Sequence, residues 1–247
     1  MKTLKFGGTS VSDATNISRV LDIVAAAARE DRVVVVCSAM SGVTDMLVRL
    51  ADCCSASSDP AARSDAQSVS CPGSAYAVSA ASSDPATLSP GAAELIRSLS
   101  ERHRAAAARL FSSDRLASVT DALDNHLSKL TALCLELSAA NAAVSAADAA
   151  SVALSSSVAP SSAGRQAASA DTAALRASIE GTGELLSTTI IAAKLTDEAF
   201  PTTWLDSREL VIRDDMPLTY RKIREAVQQR PDTRIFVAPG FVASNSD

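Results

Sequence analysis

The stretch Leu4-Lys5-Phe6-Gly7-Gly8-Thr9-Ser10-Val11 constrains the fold more than any other in this chain. A short apolar run carrying one lysine meets two adjacent glycines and two hydroxyl side chains, then gives way to a helical pattern. This is the chemistry of a strand, a tight turn and a helix start. Adjacent glycines permit φ > 0 and a close backbone approach, and a helix start presents N–H groups that no intrahelical carbonyl accepts. Such a turn can face an anion, a phosphate above all. Lys5 adds positive charge just before the turn, and in a buried strand it would need a negative partner. The same octapeptide also fits a plain turn with Lys5 in solvent, because a short glycine motif is a weak signal on its own.

The next segments turn this start into an α/β pattern. Ile17, Val20, Leu21 and Val24 form the stripe of an amphipathic helix over 13–30, with Ser12 or Asp13 as its N-cap. Val33-Val34-Val35-Val36 follows, a β-branched run suited to a strand buried on both faces. Strand, helix and strand at this spacing make a βαβ unit, so the two strands should be parallel. The second strand opens into Ser38-Ala39-Met40-Ser41-Gly42-Val43-Thr44-Asp45. In open α/β sheets ligands gather at the carboxyl ends of strands, which is where both motifs fall. Ser38 and Thr44 can donate to a carboxylate there, or they can simply cap a helix starting near Asp45.

From 51 to 91 the sequence turns to Ala, Ser, Asp and Pro with no surviving period, which reads as a low-complexity insertion or linker. Helical pattern resumes over 92–111 and again over 116–137, where Leu123, Leu127, Leu130, Leu133 and Leu137 make a stripe. A second Ala/Ser-rich stretch, 139–170, contains the breakers Pro160 and Gly164 and also reads as an insertion or linker. Leu175, Ile179, Leu186 and Ile190 outline another helical face, interrupted by Gly181 and Gly183. Each glycine costs about 1 kcal/mol against alanine inside a helix, so the pair predicts a helix start or a close backbone approach near Glu184. A short strand is expected over 202–205, a helix through Tyr220, Ile223 and Val227, and a buried strand over 234–238. That last strand opens into Pro239-Gly240-Phe241. Asp206 and Arg208 fit an ion pair as well as any functional role.

Several function classes are disfavoured. A net charge of −5 argues against a nucleic-acid binder. No long apolar run suits a membrane span, and no basic-then-apolar leader opens the sequence, so a cytoplasmic protein is expected. Five cysteines, an odd number with no C-x-x-C pair, indicate neither a disulfide framework nor a zinc site. Cys37 reads as a small core residue, and packing or surface roles fit His103 and His126 better than ligation. Aromatics are only 3% of the chain, so the core must be aliphatic with much alanine.

Lys5-Phe6-Gly7-Gly8-Thr9-Ser10-Val11 resembles the N-terminal signature of the aspartate kinases, within the amino-acid-kinase superfamily. The 38–45 motif, Gly183-Glu184-Leu185-Leu186-Ser187, Trp204-Leu205-Asp206-Ser207-Arg208 and Pro239-Gly240-Phe241 agree with it in the family's order. The resemblance implies a three-layer α/β/α fold with a mainly parallel sheet, spanning 1–247 as the N-terminal part of a catalytic domain. It implies phosphoryl transfer from ATP, with Mg²⁺, to the side-chain carboxylate of L-aspartate. Lys5 would be the catalytic charge and would hold ATP together with Gly7, Gly8, Thr9 and Ser10. Ser38, Thr44 and Glu184 would hold the amino acid, Glu184 at its ammonium group. A homo-oligomer is implied, with no nucleic-acid or membrane partner. Family members continue past the Gly-Phe turn into a Gly-Arg-Gly-Gly-Ser-Asp segment and a nucleotide-binding half, and some are fused to homoserine dehydrogenase. A catalytically incomplete fragment or binding module is therefore the alternative from another class, and a kinase acting on acetylglutamate is the alternative enzyme.

Overall fold

The computed structural model describes residues 1–55, 87–153, 162–240 and 242–244. Its centre is a four-stranded, all-parallel sheet in the order β1-β2-β4-β3. Strand β1 (Lys2–Phe6) leads through a 3₁₀ turn (Gly8–Val11) into helix α1 (Ala14–Glu30) and then β2 (Val33–Cys37). The expected βαβ unit is present, with Lys5 level with Val36 and Phe6 with Cys37. Asp13 is the α1 N-cap, its carboxylate accepting from the Asn16 N–H at 3.0 Å.

The remaining strands are β3 (Thr202–Trp204) and β4 (Ile235–Pro239). Side chains alternate across the sheet as the pleat requires. Val33, Val35, Ile235 and Val237 face a large aliphatic core, while Val34, Phe236 and Ala238 face a smaller one. The large core is roofed by α1, α2 (Val43–Ser55), α3 (Pro90–Leu110), α4 (Ser113–Ala153) and α5 (Ser162–Asp197). On the opposite face, beside the one-turn helix α6 (Ser207–Leu210), α7 (Met216–Gln228) contributes Ala226 and Val227 to the smaller cluster. This is the three-layer α/β/α arrangement. Among the described residues no helix is long and apolar enough to cross a membrane.

The structure corrects several boundaries. Val34 and Val36 are only half-buried, because the smaller layer covers their face less fully. The stretch 51–91 does not start as a loop: α2 runs to Ser55, with Ala51 and Cys54 buried in the large core. At its far end Ser89 caps α3, its hydroxyl accepting from the Ala92 N–H at 3.2 Å. Positions 56–86, including Cys71, lie outside the described residues. Within 139–170, α4 continues to Ala153 and α5 is already helical from Ser162. Alanine has the highest helix propensity of any residue, so a polar-looking Ala/Ser stretch can prolong a helix that is anchored elsewhere. Of the leucine stripe, Leu123, Leu127, Leu130 and Leu137 are buried and Leu133 is half-buried.

Two further readings change. Gly181 and Gly183 mark no helix start, since α5 passes through both. The alternative, a close approach, holds at Gly183, where a Cβ would lie 2.7 Å from Val43 Cγ1 and 2.9 Å from Ala39 Cβ. On α7 the buried residues are Thr219 and Ala226, whereas Tyr220 is exposed. The Thr219 hydroxyl donates to the Ile212 carbonyl at 2.9 Å and accepts from the Ile212 N–H at 2.7 Å, which turns that polar face inward.

Candidate active site

The turns that leave β1, β2 and β4 converge at the carboxyl edge of the sheet. Gly7, just after β1, has an extended backbone (φ −80°, ψ 172°), and beyond its two chain neighbours no atom lies within 4 Å of where its Cβ would be. Gly8 is different: a Cβ there would lie 3.0 Å from the Ala39 carbonyl oxygen. Neither glycine uses φ > 0, contrary to the expectation from sequence; the left-handed glycine of this edge is Gly42, at φ 77°. Backbone bonds stitch the turns together. The Ser38 N–H donates to Phe6 O at 3.0 Å, Ser41 N–H to Gly8 O at 3.2 Å, and Gly240 N–H to Cys37 O at 3.0 Å.

The sequence-predicted residues fall around this edge, though not all on one side of it. Thr9 is exposed and Ser10 half-buried in the 3₁₀ turn, whose first N–H groups have no intrahelical acceptor. Ser38 is half-buried at the end of β2, and Thr44 is exposed in the first turn of α2. Lys5 is exposed, not buried. It lies one residue short of the strand end and in register with Val36 and Ala238. Its neighbours Leu4 and Phe6 pack on the large core, so alternation turns Lys5 to the other face of the sheet.

Glu184 sits on the large-core side, on α5, with only 7% of its surface exposed. The packing of Gly183 against Ala39, Val43 and Leu47 brings this part of α5 against the β2–α2 turn. Burial, with the Glu184 charge adding to it, pushes the Cys37 thiol up to about 12, so Cys37 is an inert core thiol. The Ser187 hydroxyl, one turn along α5, donates to the Ser38 carbonyl at 2.9 Å and pins the helix to the loop.

Sequence reasoning assigned no role to Ser187 or to Ser207. Ser207 is buried and donates to the Pro239 carbonyl at 2.6 Å, tying α6 to the end of β4. Side-chain bonds to backbone carbonyls leave no spacing pattern, so only the placement of both serines inside quoted motifs hinted at them. Asp206 and Arg208 do form an ion pair, with Nε and Nη2 of Arg208 both donating to the Asp206 carboxylate. Burial pushes Asp206 up, but Arg208 outweighs it and holds the carboxyl below its usual range.

Two concavities lie away from this edge. One, of about 360 Å³, is lined by His126, Thr189 and Trp204; the other, of about 550 Å³, lies between α3 and α4. Neither is lined by a sequence-predicted site residue.

The sequence profile described as the amino acid kinase family matches residues 2–247. No curated protein matches by sequence. Among solved structures, E. coli aspartokinase III in complex with aspartate and ADP is similar at TM-score 0.62 and 20% identity. The same enzyme with lysine and aspartate gives 0.63 and 20%, and Clostridium acetobutylicum aspartate kinase gives 0.56 and 15%. All of this chain is covered in each case, but only 42%, 42% and 40% of the respective solved chains. At these identities the likeness speaks for the fold, and this chain spans about two fifths of the length of those proteins.

Proposed function

Because this chain belongs to the amino acid kinase family, we propose that it serves transfer of the ATP γ-phosphoryl group to the side-chain carboxylate of L-aspartate. The observation that carries this reading is an open glycine turn and a buried carboxylate flanking the same sheet edge. Gly7 faces open space, and Glu184 places a buried carboxylate, of the sign that suits a substrate ammonium, on the helix packed against the β2–α2 turn. A buried acid suits a free amine, and it suits an acetylated amine poorly, which favours aspartate over acetylglutamate.

The chemistry asks little beyond positioning. A carboxylate acceptor is ionised at neutral pH, its ordinary pKa being about 3.9, so no general base is needed. Catalysis then rests on alignment and on positive charge at the phosphoryl oxygens. Lys5, Gly7, Gly8, Thr9 and Ser10 take the phosphate end, and Ser38, Thr44 and Glu184 take the amino acid. Mg²⁺ would arrive on the nucleotide and neutralise phosphate charge. Among the described residues no group of three or more His, Cys, Asp or Glu side chains could hold it.

The test is a coupled ADP-release assay on the intact protein with ATP, Mg²⁺ and aspartate. Aspartate-dependent turnover is expected, and Lys5→Ala should lower kcat by at least about 10²-fold, the usual scale for loss of a transition-state charge. Lys5 is exposed, so the variant should fold normally. Near-normal kcat in the folded variant would remove Lys5 from the mechanism, and an intact protein with no aspartate-dependent turnover would remove the function.

A further inference from the structure

We propose that Cys54 and Cys134 are a thiol pair that a hydroperoxide oxidises to a reversible disulfide, stapling α2 to α4. The proposal is independent of the phosphoryl-transfer reading and concerns the helical layer behind the candidate site.

The end of α2 lies against one face of α4. Cys134, Ser138 and Asn141 recur at i, i+4 and i+7 along α4, so they share that face. Each meets the last residues of α2. The Cys134 thiol donates to the Cys54 sulfur, the Ser138 hydroxyl reaches the same sulfur, and Asn141 Nδ2 donates to Ser55 Oγ at 3.4 Å. Both thiols are free and both belong to the large core, Cys54 with 6% of its surface exposed and Cys134 with none. Cys53 is no substitute partner. Successive helix residues point about 100° apart, and Cys53 faces α3, where its Sγ would lie 3.8 Å from a Cβ on Gly91. Sequence spacing carries no sign of the pair, because only the packing of α2 on α4 brings positions 54 and 134 together.

A lone buried cysteine packs as a small hydrophobe. Two that meet sulfur to sulfur beside a hydroxyl can do chemistry. The hydrogen bonds from Cys134 and Ser138 outweigh burial and hold the Cys54 thiol below its ordinary value, while the bond to Cys54 and burial push Cys134 up. Ionisation therefore begins at Cys54, which is also the less deeply buried sulfur. Its thiolate attacks one peroxide oxygen, the O–O bond breaks, and the departing hydroxide takes a proton to leave as water. The sulfenic acid so formed on Cys54 is attacked by the Cys134 sulfur, which gives up its proton. The S–O bond breaks, the S–S bond forms, and a second water leaves. Two thiols and one peroxide thus become one disulfide and two waters, the sulfurs losing the two electrons that the peroxide gains. The ring that closes runs from 54 to 134, long enough to restrict the unfolded chain strongly.

The test exposes the intact protein to hydrogen peroxide, blocks remaining thiols by alkylation and maps the peptides by mass. A Cys54–Cys134 cross-link lacking two hydrogens is expected, and dithiothreitol should reverse it. The oxidised protein should melt roughly 5–15 °C higher than the reduced one. In Cys134→Ala the reaction should stop at a sulfenic acid on Cys54, captured by dimedone, and in Cys54→Ala no cross-link to Cys134 should form. Peroxide that links other cysteines, or that oxidises Cys53 while Cys54 and Cys134 stay reduced, would overturn the pairing. A cross-link that forms without raising Tm would overturn the staple, and dimedone capture at Cys134 in Cys54→Ala with none at Cys54 in Cys134→Ala would reverse the order of attack. The wild-type map and melting curve decide the proposal even where a variant does not fold.

Discussion

Glu184 and His103 show how much of this molecule's chemistry is decided residue by residue. Glu184 is a nearly buried acid on α5, among the buried polar residues Thr182, Ser187 and Thr188 as well as Leu185 and Leu186. Glu184→Gln keeps its shape and removes the charge, so aspartate binding should weaken by about ten- to a hundredfold while ATP binding barely changes. Titration of each ligand checks this, and lost ATP affinity with retained aspartate affinity would reverse the two ends of the site. His103 is fully buried in α3; its Nδ1 meets the Leu99 carbonyl at 2.7 Å, and Nε2 has no partner. Burial pushes it down to about 4 from an ordinary 6.5. The unfolded chain therefore binds a proton first as pH falls, and folding stability contributed by neutral His103 is present above about 6.5 and is lost between there and about 4. The full swing is about 3 kcal/mol. His103→Leu should flatten the fall in denaturation midpoint between pH 7 and 4.5, measured by urea titration. Sequence could place His103 in a helix and favour a packing role. It could not supply the depth of burial, because that depends on α3 sitting between α2 and α4. Gly8 was legible as a needed glycine for a reason that proved different: the Ala39 carbonyl lies against it, and its backbone is not left-handed.

At the scale of elements, α5 joins the predicted site to the fold. Its first half is Ala/Ser-rich and its second half packs Ile179, Leu186, Ile190 and Ile191 in the large core. Between these halves Gly181 and Gly183 interrupt the helical propensity, and they do so unequally. A Cβ on Gly183 would meet Val43, Ala39 and Leu47 at 2.7, 2.9 and 3.1 Å, three packed side chains that cannot all retreat. A Cβ on Gly181 would run into Val242 alone, a single side chain near the end of the described chain. Alanine at a helical glycine gains about 1 kcal/mol in propensity, so Gly181→Ala should be nearly neutral. Gly183→Ala should lose about 1–3 kcal/mol through overpacking and lower Tm despite the gain. Thermal denaturation of the two variants checks the order, and a stabilised Gly183→Ala would refute the close approach. The element types were largely legible: strands β1, β2, β3 and β4 and helices α1, α3 and α7 lie within a few residues of the expected spans. The ends were not, because helix propensity in runs such as 139–146 is carried by alanine, which shows no apolar stripe. For α7, the spacing of Tyr220, Ile223 and Val227 marked the helix, but its buried residues are Thr219, whose hydroxyl makes two bonds to Ile212, and Ala226.

The whole molecule is built asymmetrically about its sheet, with a thick layer of five helices on one face and a thin layer around α7 on the other. The thick side buries leucine and isoleucine, each worth about 1.5–3 kcal/mol when removed from water. Among the described residues the thin side has only Leu205, Ala226 and Phe236 fully within its core, so apolar area alone holds α7 weakly. Arg32, on the loop between α1 and β2, adds to that hold. Its guanidinium lies over the Phe236 ring, 5.1 Å from the centroid, and donates to three carbonyls at and beyond the end of α7. These are Val227 at 3.2 Å, Arg230 at 2.8 Å and Thr233 at 3.0 Å. A cation is well placed there, since the last carbonyls of a helix have no intrahelical donor and carry partial negative charge. Arg32→Met would keep much of the contact with Phe236 and remove all three bonds, at a cost of about 2–3 kcal/mol. The loss should be local before it is global: in hydrogen exchange, the α7 amides should lose protection by a larger factor than those of α1, β2 or the second half of α5. Lysine in the same place would keep the charge without the fork and should recover only part of that protection. Uniform loss across both layers would mean that the molecule opens as one cooperative unit and that Arg32 does not separately clamp the thin side.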